Sequence, residues 1–267
     1  MGELLDQARA FYDAPYPQAD AVRNPRPASP RSETVAVTVL SCGRPEYLQR
    51  TLSSFLANCL YPHLHIIVLD QGRGMETRWW LRWSLDERHI QELIELNENV
   101  GPAEGRNRLL AAVPKGIEYV FHVEDDWEFT VAGDWISRGI EIIEWTRKDP
   151  TPVGAVRYRH KGSDDPASAR IQIGAAHAGV MYSEPGSGGF TNTPNLARME
   201  SYGRCGRFED PQHEWRYDHQ WKTIYRWAQF IRVCHHIGGV SAFTPADVAR
   251  FDDGKKMCSG GVRDACE

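Results

Sequence analysis

Three consecutive acids, Glu124-Asp125-Asp126, close the apolar run 119–123. Oxygen donors clustered in this way can hold a hard divalent cation, and Mg²⁺ or Mn²⁺ in turn neutralises a diphosphate. Asp70 closes a second apolar run, 65–69, where a carboxylate can accept a hydrogen bond from the N–H of a base. A third run, 35–40, breaks at Ser41-Cys42-Gly43-Arg44-Pro45. Each feature alone has a plain reading: an Asp after a strand is a common turn residue, and an acidic triplet is often a solvated edge. Their recurrence, in this order and at the same place in successive elements, points to a ligand site.

Other chemistry-bearing residues carry less. Cys234, His235 and His236 are adjacent, and adjacent ligands rarely close a zinc tetrahedron without distant partners. Gly186-Ser187-Gly188-Gly189 lacks the preceding strand and the following helix with Lys that a phosphate cradle needs, so it reads as a loop beside an acceptor. Trp79, Trp80 and Trp83 lie at helical spacing and read as core, whereas Trp127 and Trp215 adjoin acids and suit sugar stacking.

The elements that must position these residues alternate. The runs 35–40, 65–69, 91–96 and 119–123 read as strands, those without strict alternation being buried on both faces. Between them, Leu48, Leu52, Phe55, Leu56 and Cys59 repeat at helical spacing, and helices are expected over 77–88, from Ala103, and over 134–147. Such alternation predicts right-handed βαβ units and a largely parallel sheet, with ligands bound beyond the carboxyl ends of the strands. Past 150 the pattern loosens: strands are expected over 153–158 and 170–182, a polar loop over 162–168, and a helix over 218–229 using Trp221, Ile224, Tyr225 and Ala228. The first 33 residues, with five prolines between Pro15 and Pro30, read as an extension.

Composition excludes several classes. The 267 residues, 41% hydrophobic and 25% charged, suit a globular protein with a sizeable core. No apolar run approaches the ~20 residues of a membrane span, and the acidic N-terminus does not suit a signal peptide. The formal charge of −5 does not indicate broad nucleic-acid binding. Six cysteines without a C-x-x-C pair read as reduced thiols, so a cytoplasmic location is expected.

The stretch 35–129 resembles the nucleotide-binding half of GT-A fold glycosyltransferases, most closely family 2. The resemblance is carried by VTVLSCGRPEYLQRTLSSFL, by Asp70 in IIVLDQG, by Asn99, Gly101, Arg106 and Asn107 in NENVGPAEGRNRLL, and by Glu124-Asp125-Asp126 in FHVEDDWEF at the place of an Asp-x-Asp (DXD) metal motif. It extends through RYDHQWKTIYRWAQF, where Asp218 falls at the offset of a catalytic base, with Glu209, Asp210 and Glu214 as competitors, to CHHIGGVSAF, where His236, or failing it His235, would complete the metal site.

This resemblance implies an α/β, Rossmann-like GT-A fold: a mostly parallel central sheet flanked by helices, with a donor half over 34–150, an irregular acceptor half over 151–251 and a polar tail over 252–267. It implies a transferase that moves a sugar from a nucleotide-sugar, by default a UDP-sugar with dTDP and GDP open, to an acceptor hydroxyl with inversion. Asp126, Glu124 and His236 would hold Mn²⁺ or Mg²⁺. Ser41, Arg44, Asp70, Asn99, Gly101, Arg106, Asn107, Glu124 and Asp125 would line the donor site. The acceptor stays open among a glycan, a lipid-linked sugar, a peptide, a natural product and a modified nucleobase. A nucleotidyltransferase, or a non-catalytic carbohydrate- or nucleotide-binding protein of the same fold, is the alternative.

Overall fold

The computed structural model describes residues 31–72, 74–159, 172–173, 181–182, 186, 193–209 and 213–238. The expected extension (but for 31–33), the polar loop 162–168, most of the glycine-rich loop, Asp210 and the tail 252–267 lie outside them. In chain order the elements are β1 (Val35–Ser41), α1 (Pro45–Asn58), β2 (Leu64–Asp70), α2 (Met75–Asp86), β3 (Glu92–Glu95), α3 (Gly101–Ala112), β4 (Tyr119–Glu124), β5 (Trp127–Phe129), α4 (Trp135–Trp145), β6 (Val153–Arg159), β7 (Gln172–Ile173), β8 (Met181–Tyr182), β9 (Asn195–Arg198), α5 (Met199–Cys205), α6 (His213–Ile224) and β10 (Arg226–His236).

The strands form one sheet in the order β3-β2-β1-β4-β9-β6-β10-β8-β7, with β5 paired to β10. Along its central seven strands, β3 to β10, four of the six pairings are parallel, and only β9 runs against its neighbours. Strand β1 shows why it lacks alternation: every residue is buried. Val35, Val37 and Val39 pack with Leu48, Leu52 and Phe55 of α1 and Trp135, Ile136 and Ile140 of α4. On the opposite face Ala36 joins Ala103, Tyr202, Phe208, Tyr217 and Trp221, while Leu40 joins Ile67, Leu69 and Leu109. Helices therefore cover both faces, and each buried Leu or Phe contributes about 1.5–3 kcal/mol. Among the described residues no helix is long and apolar enough to cross a membrane.

The later elements differ from the sequence expectation. The helix expected over 218–229 starts at His213 and ends at Ile224, so Asp218 is in mid-helix. Tyr225 N–H makes a last helical bond to Trp221 O (2.8 Å), after which Arg226 pairs with Val153 and the chain runs on as β10. The Trp221–Ala228 spacing is helical only in its first half, because parallel pairing with β6 takes the rest. The strand expected over 170–182 is described only as the two-residue β7 and β8, paired antiparallel.

Candidate functional site

The parallel register sets three strand ends side by side. Ser41 is opposite Asp70, Leu40 is opposite Glu124, and Asp70 is opposite Glu95. The loops after β1, β2 and β4 therefore share one edge of the sheet, the edge where open parallel sheets bind ligands.

Asp70 is wholly buried there. Its Oδ1 accepts the Gly72 N–H (3.1 Å), and its Oδ2 is buried with no hydrogen-bond partner among the described residues. Burial raises its pKa above the usual carboxylate value, and the Gly72 and Gly43 N–H groups pull against that rise. The two loops meet closely enough to require glycine: a Cβ on Gly72 would lie 2.5 Å from the Gly43 nitrogen.

At the end of β4 the acids divide their work. Asp125, 1% exposed, is a brace. Its Oδ2 accepts the Ser41 hydroxyl (3.0 Å) and the Cys42 N–H (3.2 Å), and its Oδ1 pairs with the Arg44 guanidinium. Asp126 offers Oδ2 to Arg44 (3.1 Å) and His236 Nε2 (3.2 Å), while its buried Oδ1 has no hydrogen-bond partner among the described residues. Burial opposes the charge on Asp126, but the His236 hydrogen bond and Arg44 outweigh it and hold the carboxyl below the usual range. The two carboxylates likewise raise the Arg44 pKa against its burial. Gly238 lies against this carboxylate, where a Cβ would approach Asp126 Oδ2 to 2.6 Å. Glu124 is half-buried at the strand end.

Strand β5, unforeseen from the sequence, brings the histidines to the acids. On one side β10 pairs with it antiparallel, placing His236 opposite Trp127 and His235 opposite Glu128. On the other side α1 supplies side chains in place of a strand. Thr51 Oγ1 donates to Asp125 O (2.7 Å) and accepts Trp127 N–H (3.0 Å), Ser54 Oγ accepts Phe129 N–H (3.0 Å), and Asn58 Nδ2 donates to Phe129 O (2.9 Å). The available signal was polar residues inside the buried stripe of an amphipathic helix. Alternation along β10 also separates the histidines: His236 reaches Asp126, and His235 reaches Glu128 (3.0 Å), which Arg50 holds with two nitrogens. Trp127 is buried edge-on to His236, with centroids 5.1 Å apart.

The α3 candidates divide. Asn99 Oδ1 accepts Gly101 N–H (2.9 Å) and forms the turn that starts the helix. Arg106 and Asn107, expected to contact the donor, both engage Phe208. Arg106, 1% exposed, lies 5.0 Å from the Phe208 ring centroid. Together with burial, its charge keeps the His122 imidazole neutral, well below the ordinary range. Both polar atoms of the Asn107 amide bind the Phe208 backbone, at 2.9 and 3.0 Å.

On the acceptor side, Asp218 is half-buried in the middle of α6, and Glu214 and Trp215 belong to its first turn. Exposed Glu209 is 3.5 Å from Arg216. Between the 207–209 segment and α6 lies an open cleft of about 220 Å³, lined by Arg207, Glu209, Arg216, Tyr217, His219 and Gln220.

Among the described residues no three His, Cys, Asp or Glu side chains converge into a metal cage. The donor set still fits a cation that arrives with a diphosphate, since such ions take one or two carboxylates and complete their shell from phosphate oxygens. Asp126 supplies a buried carboxylate oxygen with no hydrogen-bond partner among the described residues, with the His236 imidazole beside the carboxylate.

Residues 35–208, more than half of the chain, match the model of the family described as Glycosyl transferase family 2. The chain belongs to this family. No curated protein sequence matches it. Among solved structures, this family 2 chain resembles the mannosyltransferase PcManGT from Pyrobaculum calidifontis, solved with GDP-Man and Mn²⁺, with TM-score 0.56, 21% identity, and coverage of 88% of this chain and 65% of that one. It also resembles S. aureus TarS 1-349 in complex with UDP, with TM-score 0.54, 15% identity, and coverage of 74% and 57%. At these identities the likeness shows the shared GT-A fold, and the chain spans less than two thirds of either relative's length.

Proposed function

We propose that this domain transfers a sugar from a nucleotide-sugar, first a UDP-sugar, to an acceptor hydroxyl with inversion at the anomeric carbon. One observation carries the reading most: Asp70 and Asp126, at the ends of β2 and β4 on one sheet edge, each hold a buried carboxylate oxygen with no partner among the described residues. Family membership and neighbours solved with UDP and with GDP-Man and Mn²⁺ support it. Asp70 Oδ2 would accept a base N–H, which both uracil and guanine offer. Asp126 and His236 would hold a divalent cation, whose charge favours departure of the nucleoside diphosphate.

The acceptor oxygen attacks the anomeric carbon opposite the diphosphate. The bond to the diphosphate oxygen breaks with its electron pair, and a carboxylate takes the acceptor proton. The family resemblance places the base at the start of a helix, and α6 starts at His213, three residues after Asp210 and five before Asp218 in the sequence. We assign the base to Asp210, with Glu214 and Asp218 as competitors. The test is release of nucleoside diphosphate from UDP-, dTDP- and GDP-sugars, with Mn²⁺ and with EDTA. Metal-dependent release from one donor is expected; no release from any donor with a broad acceptor mixture would sink the reading.

A further inference from the structure

The position of Arg44 suggests a role beyond lining the donor site. It precedes Pro45 at the start of α1, and its side chain crosses to the end of β4, where one guanidinium nitrogen bridges Asp125 Oδ1 and Asp126 Oδ2. The carboxylates are buried, so their two negative charges need a counter-charge nearby. A guanidinium supplies it permanently, because it does not lose its proton at any ordinary pH. Asp126 Oδ2 already faces both Arg44 and His236. A dication on Asp126 would therefore meet a fixed positive charge beside the same carboxylate. The planar fork that now binds carboxylate matches a phosphate equally well.

We propose that Arg44 is an exchangeable counter-ion: it neutralises Asp125 and Asp126 in the ligand-free protein and moves to the diphosphate when the metal–nucleotide arrives. The diphosphate part rests on the donor reading above; the competition with metal does not. Metal and nucleotide then bind cooperatively, because each removes an obstacle to the other, and the coupling is reciprocal. Mn²⁺ alone binds weakly, since Arg44 holds its place, whereas Mn²⁺ with UDP binds well.

The test measures free Mn²⁺ by electron paramagnetic resonance and thermal unfolding, using the full chain as wild type, Arg44→Ala, Arg44→Gln and Arg44→Lys. Without nucleotide, Arg44→Ala and Arg44→Gln are expected to bind Mn²⁺ at least about tenfold more tightly than wild type, and Mn²⁺ should raise their unfolding temperature more than it raises that of wild type. UDP, or GDP if that is the nucleotide bound, should tighten Mn²⁺ binding about tenfold or more in wild type and less in these variants. Arg44→Lys, with charge but no fork, should fall between. If Arg44→Ala folds only with Mn²⁺, the metal is replacing the missing charge, which supports the proposal. Mn²⁺ affinity in Arg44→Gln equal to or below that of wild type overturns it. Failure of wild type to bind any nucleotide would instead remove the donor reading and leave the Mn²⁺ comparison to decide whether Arg44 competes with metal.

Discussion

At the strand-end edge Asp125 is enclosed and held by a hydroxyl, a backbone N–H and a guanidinium; on α6 Asp218 lies half-buried beside Tyr217 and Trp221, which anchor the helix in the core. The first acid is fixed by strand register and by three groups of the one segment 41–44. The second is positioned by the rotation of one helix, and its neighbours Arg216, His219 and Gln220 open onto a cleft. A donor diphosphate has one charge pattern, which an edge fixed by strand register can match with the exchange of Arg44 as its main rearrangement. Acceptors vary, and a surface built from one helix and its flanking loop can vary without disturbing the sheet.

The largest effect should separate the two sides in activity. Asp210→Asn is expected to lower transfer by about 100- to 10,000-fold while leaving nucleotide affinity within about twofold. Asp218→Asn should change transfer far less. Single-turnover assays alongside calorimetry check this, and the reverse order would return the base to Asp218.

The next contrast is stability. Asp125→Ala leaves the Ser41 hydroxyl and the Cys42 N–H without their acceptor and Arg44 with Asp126 alone, and should lower unfolding free energy by about 3–5 kcal/mol. Thr51→Val removes the group that serves both Asp125 O and Trp127 N–H, at a cost of about 1–3 kcal/mol. Asp218→Ala should cost less than either, because Asp218 is only half-buried. Urea denaturation measures all three, and equal losses would erase the contrast between brace and helix surface.

The smallest effect is a pH dependence. Burial raises the Asp70 pKa, so the free protein protonates this carboxyl above the usual ~3.9. A base N–H binds the ionised acceptor more strongly than the protonated one. Nucleotide affinity should therefore be full above the raised pKa and fall, by up to about tenfold per pH unit, as pH drops through it. Asp70→Asn should bind more weakly at neutral pH and lose this acid limb. Persistence of the limb in the variant would assign it elsewhere.

The same contrast governs what could be read in the sequence. Strands β1, β2 and β4 are short runs buried on both faces, so composition alone marks them, and their ends deliver Ser41, Asp70 and Glu124 to one edge. Strands β5, β9 and β10 depend on pairing between segments distant in the chain, which local periodicity does not encode. The roles of Thr51, Ser54 and Asn58 were hidden because an apolar count treats polar residues in a helix as its solvent side. Arg106 and Asn107 show a different limit. A motif names residue types and does not show that their side chains lie against Phe208, in the segment after α5.

The central claim is that the strand-end edge is a metal-dependent nucleotide site. Its most direct test is calorimetric titration of wild type and Asp126→Ala with UDP and GDP, in Mn²⁺ and then in EDTA. The prediction is binding of one nucleotide in Mn²⁺, weakened about 100-fold or more by EDTA, as expected for loss of the diphosphate-neutralising charge, and at least about tenfold by Asp126→Ala. Equal affinity for Asp126→Ala and wild type in Mn²⁺ would contradict the claim.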